Sequence, residues 1–139
     1  MIDTEAHIDE YGWVYSYIMP YPDTETMEAL SPHTNGRSNY KKVKVTKRLR
    51  AEAKQITEEV IGDIRWDRCV VMYRFYKKDR GTLDESNMIQ RCKSLIDGIV
   101  DSGIVPSDCN KHMTVGPVHS GVDKINPRIE IVLQRLQVW

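Results

Sequence analysis

The chain has three cysteines but no CxxC pair, and four histidines but no HxxxH spacing. Cys69, Cys92 and Cys109 therefore suggest neither a disulfide framework nor a zinc site, and His7, His33, His112 and His119 are too scattered for zinc or haem. The thiols are expected to be reduced, with Cys69 and Cys92 in the core. Absent too is any apolar run approaching the roughly 20 residues of a membrane span. The first residues, Met1-Ile2-Asp3-Thr4-Glu5, lack the basic and apolar regions of a signal peptide. A cytoplasmic protein with no membrane partner is expected. There is no GxxxxGK[ST] loop, which argues against an ATP-driven enzyme and a nucleotide cofactor. Ser86, Ser94 and Ser107 have no Gly-x-Ser-x-Gly context and no Cys and His pairing is visible, so acyl and thiol chemistry find no support. Repeats, heptads and low-complexity tracts are missing as well.

What is present is a soluble composition, 40% hydrophobic and 29% charged, in 139 residues, the size of one domain with one core. Residues 1–10 read as an acidic, mobile leader and residues 11–139 as a single domain. The formal net charge of zero conceals a segregation: residues 1–30 carry seven acidic side chains and no Lys or Arg. Residues 31–50 reverse this with Arg37, Lys41, Lys42, Lys44, Lys47, Arg48 and Arg50 and no acid. Basic residues on a helix or loop are most often solvated surface. Seven without an interleaved acid, beside Asn35, Asn39 and Tyr40, instead suggest a phosphate-reading face. Asn35, Arg37, Lys41, Lys42 and Lys47 are the expected DNA contacts.

Periodicity predicts the elements. Trp13 to Met19 alternates Trp13/Tyr15/Tyr17/Met19 with Val14/Ser16/Ile18, a strand ended by Pro20 and Pro22, whose aromatic set faces the core or a dimer contact. Residues 20–40 read as a long loop. A helix is expected over 46–61, with Thr46 as N-cap, Leu49, Ala53, Ile56, Val60 and Ile61 as its apolar face and Gly62 as its stop. Cys69 to Tyr76 reads as a buried strand, followed by a charged turn over 77–81. A second helix is predicted from Asp84 to Val100, closing near Gly103, with Met88, Cys92, Leu95, Ile96 and Ile99 apolar and Ser86, Gln90, Lys93 and Asp97 on another face. Two strands, 111–117 and 128–136, flank a loop over 121–126. This order predicts an α+β fold, a small mixed sheet with two helices covering one face.

The chemistry concentrates between Asp84 and Asp108. Asp84-Glu85-Ser86-Asn87 opens the second helix, Lys93 and Asp97 lie one turn apart on it, and Pro106-Ser107-Asp108 follows its glycine stop. Singly, each carboxylate has an ordinary reading as a cap, a solvated helix residue or a turn residue. Together they would repel one another without a cation, which suggests oxygen ligands for a hard ion such as Mg2+.

These residues resemble the RusA-type Holliday junction resolvases of phages and prophages. The family pattern is an Asp-x-Asp-Asn start, a Lys and an Asp one helical turn apart, an Asp-Gly-Leu-like continuation, and an Asp-Asp pair after a short loop. Here Asp84-Glu85-Ser86-Asn87, Lys93-Ser94-Leu95-Ile96-Asp97-Gly98-Ile99-Val100 and Gly103-Ile104-Val105-Pro106-Ser107-Asp108 stand in those places. Upstream, Met19-Pro20-Tyr21-Pro22 and Thr34-Asn35 extend the likeness, which runs from Trp13 to Leu136. Ser86 and Ser107 stand where the family has Asp. The resemblance implies a metal site of Asp84, Asp97 and Asp108 that takes Mg2+, with Mn2+ able to replace it. It further implies support from Glu85, Ser86 and Asn87, catalysis by Asp84, Lys93, Asp97 and Asp108, and contact of Lys93 with the DNA phosphate. A homodimer is implied, because a two-fold substrate such as a four-way junction calls for two sites related by two-fold symmetry. The implied activity is metal-dependent endonucleolytic resolution of branched DNA in recombination and repair, in a bacterial cytoplasm from a phage or prophage gene. Two alternatives stand beside it: a protein that binds branched DNA without cutting, and a protein-interaction domain.

Overall fold

A computed structural model of the chain describes residues 7–8, 14–30, 39–78, 93–109 and 111–136. It is a mixed α+β fold built on a five-stranded sheet in the order β1-β2-β5-β3-β4. The strands are β1 His7–Ile8, β2 Val14–Pro20, β3 Cys69–Lys77, β4 Met113–Val122 and β5 Arg128–Arg135, and the helices are α1 Thr24–Ala29, α2 Asn39–Ile61 and α3 Lys93–Asp101. β3 pairs in parallel with β4, and the other pairs are antiparallel. The two longer helices, α2 and α3, pack on each other. Two residues of the expected leader, His7–Ile8, pair with Tyr15 and Ser16 of β2.

Alternation along the strands sets the core. Tyr15, Tyr17 and Met19 of β2, Val71, Tyr73 and Phe75 of β3, and Ile129, Ile131 and Leu133 of β5 are all buried on one face. Val45, Leu49, Ala53, Ile56 and Ile61 of α2 and Leu95 and Ile99 of α3 close over them. The buried Tyr17 hydroxyl and Thr57 Oγ1 of α2 share a 2.8 Å hydrogen bond, so the sheet and the helix layer are joined by a satisfied polar pair. Burial and loss of solvation raise the Tyr17 phenol far above its ordinary value despite that bond. The opposite face of the sheet carries Val14, Ile18, Val70, Met72 and Val132, all half-buried.

Four expectations of boundary are corrected. α2 begins at Asn39 rather than 46, so Thr46 lies inside the helix, and Val45 extends the apolar face by a turn. Lysine and arginine are good helix formers, and nothing in 39–45 breaks the helical pattern. The long loop over 20–40 contains α1, whose start is capped by Asp23 Oδ1 accepting from the Thr26 amide at 2.7 Å. β4 runs to Val122, through Gly116 and Pro117, because it is an edge strand with a bulge opposite Val71 and Tyr73. Proline and glycine are tolerated there: a Cβ on Gly116 would stand 2.8 Å from Met72 Cγ. The following loop shrinks to 123–127, where Asp123 Oδ1 accepts from the Ile125 and Asn126 amides and Oδ2 from Arg128. The predicted stops hold: Gly62 and Gly103 both have positive φ, +57° and +87°.

Candidate nucleic-acid and metal site

The site is organised where α3 crosses α2. Gly98 makes that crossing close: a Cβ there would come within 2.3 Å of the Arg50 carbonyl oxygen and 2.6 Å of the Ala53 Cβ. Because Gly98 and Ser94 face α2, Lys93, Asp97 and Asp101, spaced four residues apart, form the neighbouring flank of α3. Lys93 and Asp101 are exposed and Asp97 is half-buried. Arg50 answers this flank with a forked contact: its Nε and Nη2 donate to the two Asp101 carboxylate oxygens at 2.5 and 2.9 Å. The Arg50 fork holds the Asp101 carboxyl below its ordinary range, and Arg50 is in turn held protonated by Asp101 first, with the charges of Asp97 and Asp108 adding to the same effect.

Asp108 reaches this neighbourhood through a pinned connection. Gly103 ends α3, Ile104 and Val105 enter the core, and the Trp66 amide donates to the Ile104 carbonyl at 2.6 Å. Pro106 then brings the chain out, and the turn beyond Asp108 is fastened by the His112 and Met113 amides, each 2.9 Å from the Cys109 carbonyl. Asp108 itself is exposed. Beside it, the Cys109 thiol is held below its usual range by the Ser107 hydroxyl and then by the Lys111 amide, whereas burial pushes the Cys69 thiol up to about 12. Both are free thiols.

The structure therefore brings Asp97 and Asp108 into the field of one arginine, with Lys93 one turn from Asp97. Asp84, Glu85, Ser86, Asn87, Asn35 and Arg37 lie outside the described residues. Among the described residues no three His, Cys, Asp or Glu side chains gather closely enough to hold a metal by themselves. Asp97 and Asp108 nonetheless offer carboxylate oxygens, the donors a hard cation takes. Mg2+ is commonly held by one or two carboxylates beside substrate phosphates. The donor set fits such an ion.

From Asn39 to Arg50 the basic segment is helix rather than loop. Lys41 and Lys47 are exposed on α2 and Lys42 is half-buried. Sequence reasoning missed two features. Asp101 was not expected at the site, although its spacing of four from Asp97 is the available signal. Lys44 and Arg48 join Lys41 on one flank of α2 only once the helix is extended back to Asn39.

No family model matches the chain, and no curated protein matches it. No helix among the described residues is long and apolar enough to cross a membrane.

Proposed function

We propose that the chain is a Mg2+-dependent, structure-specific endonuclease that cuts four-way junctions and other branched DNA, acting as a homodimer in recombination and repair, as RusA-type resolvases do. The observation that carries this reading is the Arg50 fork to Asp101, which seats α3 against α2 with Lys93 and Asp97 on the same flank as Asp101. That point lies on a helix with six lysines and arginines between Lys41 and Arg50. An acidic centre flanked by a basic helix is what metal-assisted attack on a polyanion needs: oxygen ligands at the reacting phosphate and positive charge along the rest of the backbone.

Asp97 and Asp108, with Asp84, would hold the ion, which supplies Lewis acidity to the scissile phosphate and to the attacking water. Lys93, on the same flank of α3, offsets negative charge developing on the phosphate. Arg50, through Asp101, keeps α3 seated so that Asp97 holds its direction. Lys41, Lys42 and Lys47 draw the DNA backbone along α2. The outer face of the sheet carries half-buried Val14, Ile18, Val70, Met72 and Val132 beside Ser16, Arg74, Glu130 and Gln134, a mixed surface that suits the homodimer, since association would remove its apolar part from water.

The test is a labelled four-way junction with Mg2+ or EDTA, read on native and denaturing gels. Symmetric nicks requiring Mg2+ are expected from the wild type. Asp108→Asn should lose cleavage and keep junction binding, because it removes a ligand and a charge repelled by phosphate. An unchanged cutting rate in Asp108→Asn would sink the site assignment, and a shifted but uncut junction with the wild type would leave a binding protein without chemistry.

A further inference from the structure

A cleft of about 400 Å³ opens between α1 and α2, lined by Asp23, Thr26, Lys41, Lys44, Val45 and Arg48. On a helix turning 100° per residue, positions 41, 44, 45 and 48 gather on one flank of α2, while Arg50 and Ala53, which meet α3, gather on the other. Lys47 lies on the outer face between them. The cleft and the acidic centre thus stand on opposite sides of one helix.

The cleft is built rather than merely charged. Asp23 caps α1 through the Thr26 amide, and the Thr26 hydroxyl accepts from Arg48 Nη2 at 2.8 Å, so α1 sets the direction of the guanidinium. A guanidinium has five N–H donors and one is used by Thr26; its Nε stands 4.0 Å from Glu52. The lining carries three cations and one carboxylate, and the Thr26 hydroxyl and amide keep that carboxylate ionised. The net positive lining is therefore two charges, in a space that holds a phosphate with its sugar.

We propose that this cleft is a phosphate pocket that seats one backbone phosphodiester of the DNA, held by Lys41, Lys44 and Arg48, with Thr26 positioning Arg48. The proposal rests on the nucleic-acid reading above and names where the substrate is gripped away from the reacting phosphate. A helix with its side chains is about 10–12 Å across, close to three base steps of about 3.4 Å along one strand. A strand reaching from Asp97 over Lys47 into the cleft is therefore clamped about three nucleotides from the point of cutting. Asp23 opposes the anion, so the pocket's affinity is tempered by its own carboxylate.

Two probes test this on the full chain: inorganic phosphate, followed by the NMR amide shifts of Thr26 and Val45, and a four-way junction, followed by binding across a salt series. The variants are Lys44→Gln, at an exposed position, and Asp23→Asn, which keeps a good cap; a thermal melt of each verifies the fold. Saturable phosphate shifts are expected at both amides, weakened roughly fivefold or more by Lys44→Gln and strengthened by Asp23→Asn. The slope of junction binding against salt should fall by about 1 in Lys44→Gln. An unchanged slope and no saturable phosphate shifts, with the junction still bound by the wild type, would overturn the pocket and leave the nuclease reading intact. Phosphate binding with no change of slope would overturn the DNA role of the cleft. Failure of the wild type to bind the junction at all would overturn both readings together.

Discussion

Replacing Gly98 by alanine drives a methyl carbon into the backbone of α2. The new carbon would meet the Arg50 carbonyl oxygen at 2.3 Å, Ala53 Cβ at 2.6 Å and the Lys54 amide nitrogen at 3.0 Å. Carbon contacts settle at about 3.5–4.0 Å, and two of these three atoms are backbone that no rotamer change can move. The helices must therefore part by about 1 Å. Overpacking of this kind costs about 1–3 kcal/mol, and a rigid backbone contact belongs at the upper end. Alanine recovers about 1 kcal/mol in helix propensity over glycine. The expected net loss is about 2 kcal/mol, which at a urea slope of about 2 kcal/mol per molar lowers the unfolding midpoint by about 1 M. Parting the helices also pulls Asp101 from Arg50, so on the proposed function Mg2+-dependent cutting should fall in the same variant. Gly62→Ala is the control: its φ is +57° but nothing lies within 4 Å of the added carbon, so it carries only the left-handed backbone penalty of about 1 kcal/mol. Equilibrium urea unfolding by circular dichroism decides the matter. A midpoint for Gly98→Ala at or above the wild-type value would refute the close crossing of α2 and α3.

Acid should destabilise the fold through three carboxylates whose protons are held more weakly folded than unfolded. Asp23 is held down first by the Thr26 hydroxyl, Asp101 by the Arg50 fork, and Asp123 by the Asn126 amide and then Arg128. Depressed folded values mean stability that is whole above the ordinary aspartate value of about 3.9 and drains as pH falls below it. Tm should be flat from about pH 7 to 5 and drop below 4. The combined Asp23→Asn, Asp101→Asn and Asp123→Asn variant should drop less steeply; an identical acid slope would remove these groups from the account. Tyr40→Glu, at an 81% exposed position in the first turn of α2, should raise Tm by a degree or two and weaken junction binding severalfold. A variant that binds the junction as tightly as the wild type would remove this end of α2 from the DNA path.

The strands were legible because burial follows a period of two: Tyr15, Tyr17 and Met19 alternate with half-buried Val14, Ser16 and Ile18, as the sequence pattern requires. The limits of the elements were less so, each for a local reason. Thr46 resembles an N-cap, yet Val45 and Leu49 continue the stripe of Ala53 and Ile56 backward, and this tertiary burial outweighs the capping signal. α1 was hidden between prolines, although Asp23-Thr24-Glu25-Thr26 carries its cap. The strand was expected to end at Pro117 because the sequence does not say that β4 is an edge. At the site, Lys93 and Asp97 follow from helical spacing alone. The Arg50 and Asp101 contact joins residues 51 apart, and no local pattern encodes it.

The polarity of α2 links stability to the proposed role. The helix has no acid in its first turn and no base in its last. Lys41, Lys42 and Lys44 crowd the end where the backbone dipole is positive, and Glu58 and Glu59 the end where it is negative. Each such placement typically costs about 0.3–1 kcal/mol at low salt. The i,i+4 pairs Arg48–Glu52 at 4.0 Å and Lys54–Glu58 at 3.6 Å are exposed and offset little of it, both running base-to-acid, against the preferred order. A helix selected for its own stability would carry the reverse arrangement. Its unfavourable order has a use if a polyanion lies against the N-terminal half: the dipole, the lysines and the α1 cleft then all present positive potential to the same phosphates. On the proposed function the favourable partner would be outside the protein, so the strain in charge would be relieved on binding, and the affinity it contributes would weaken as salt screens it.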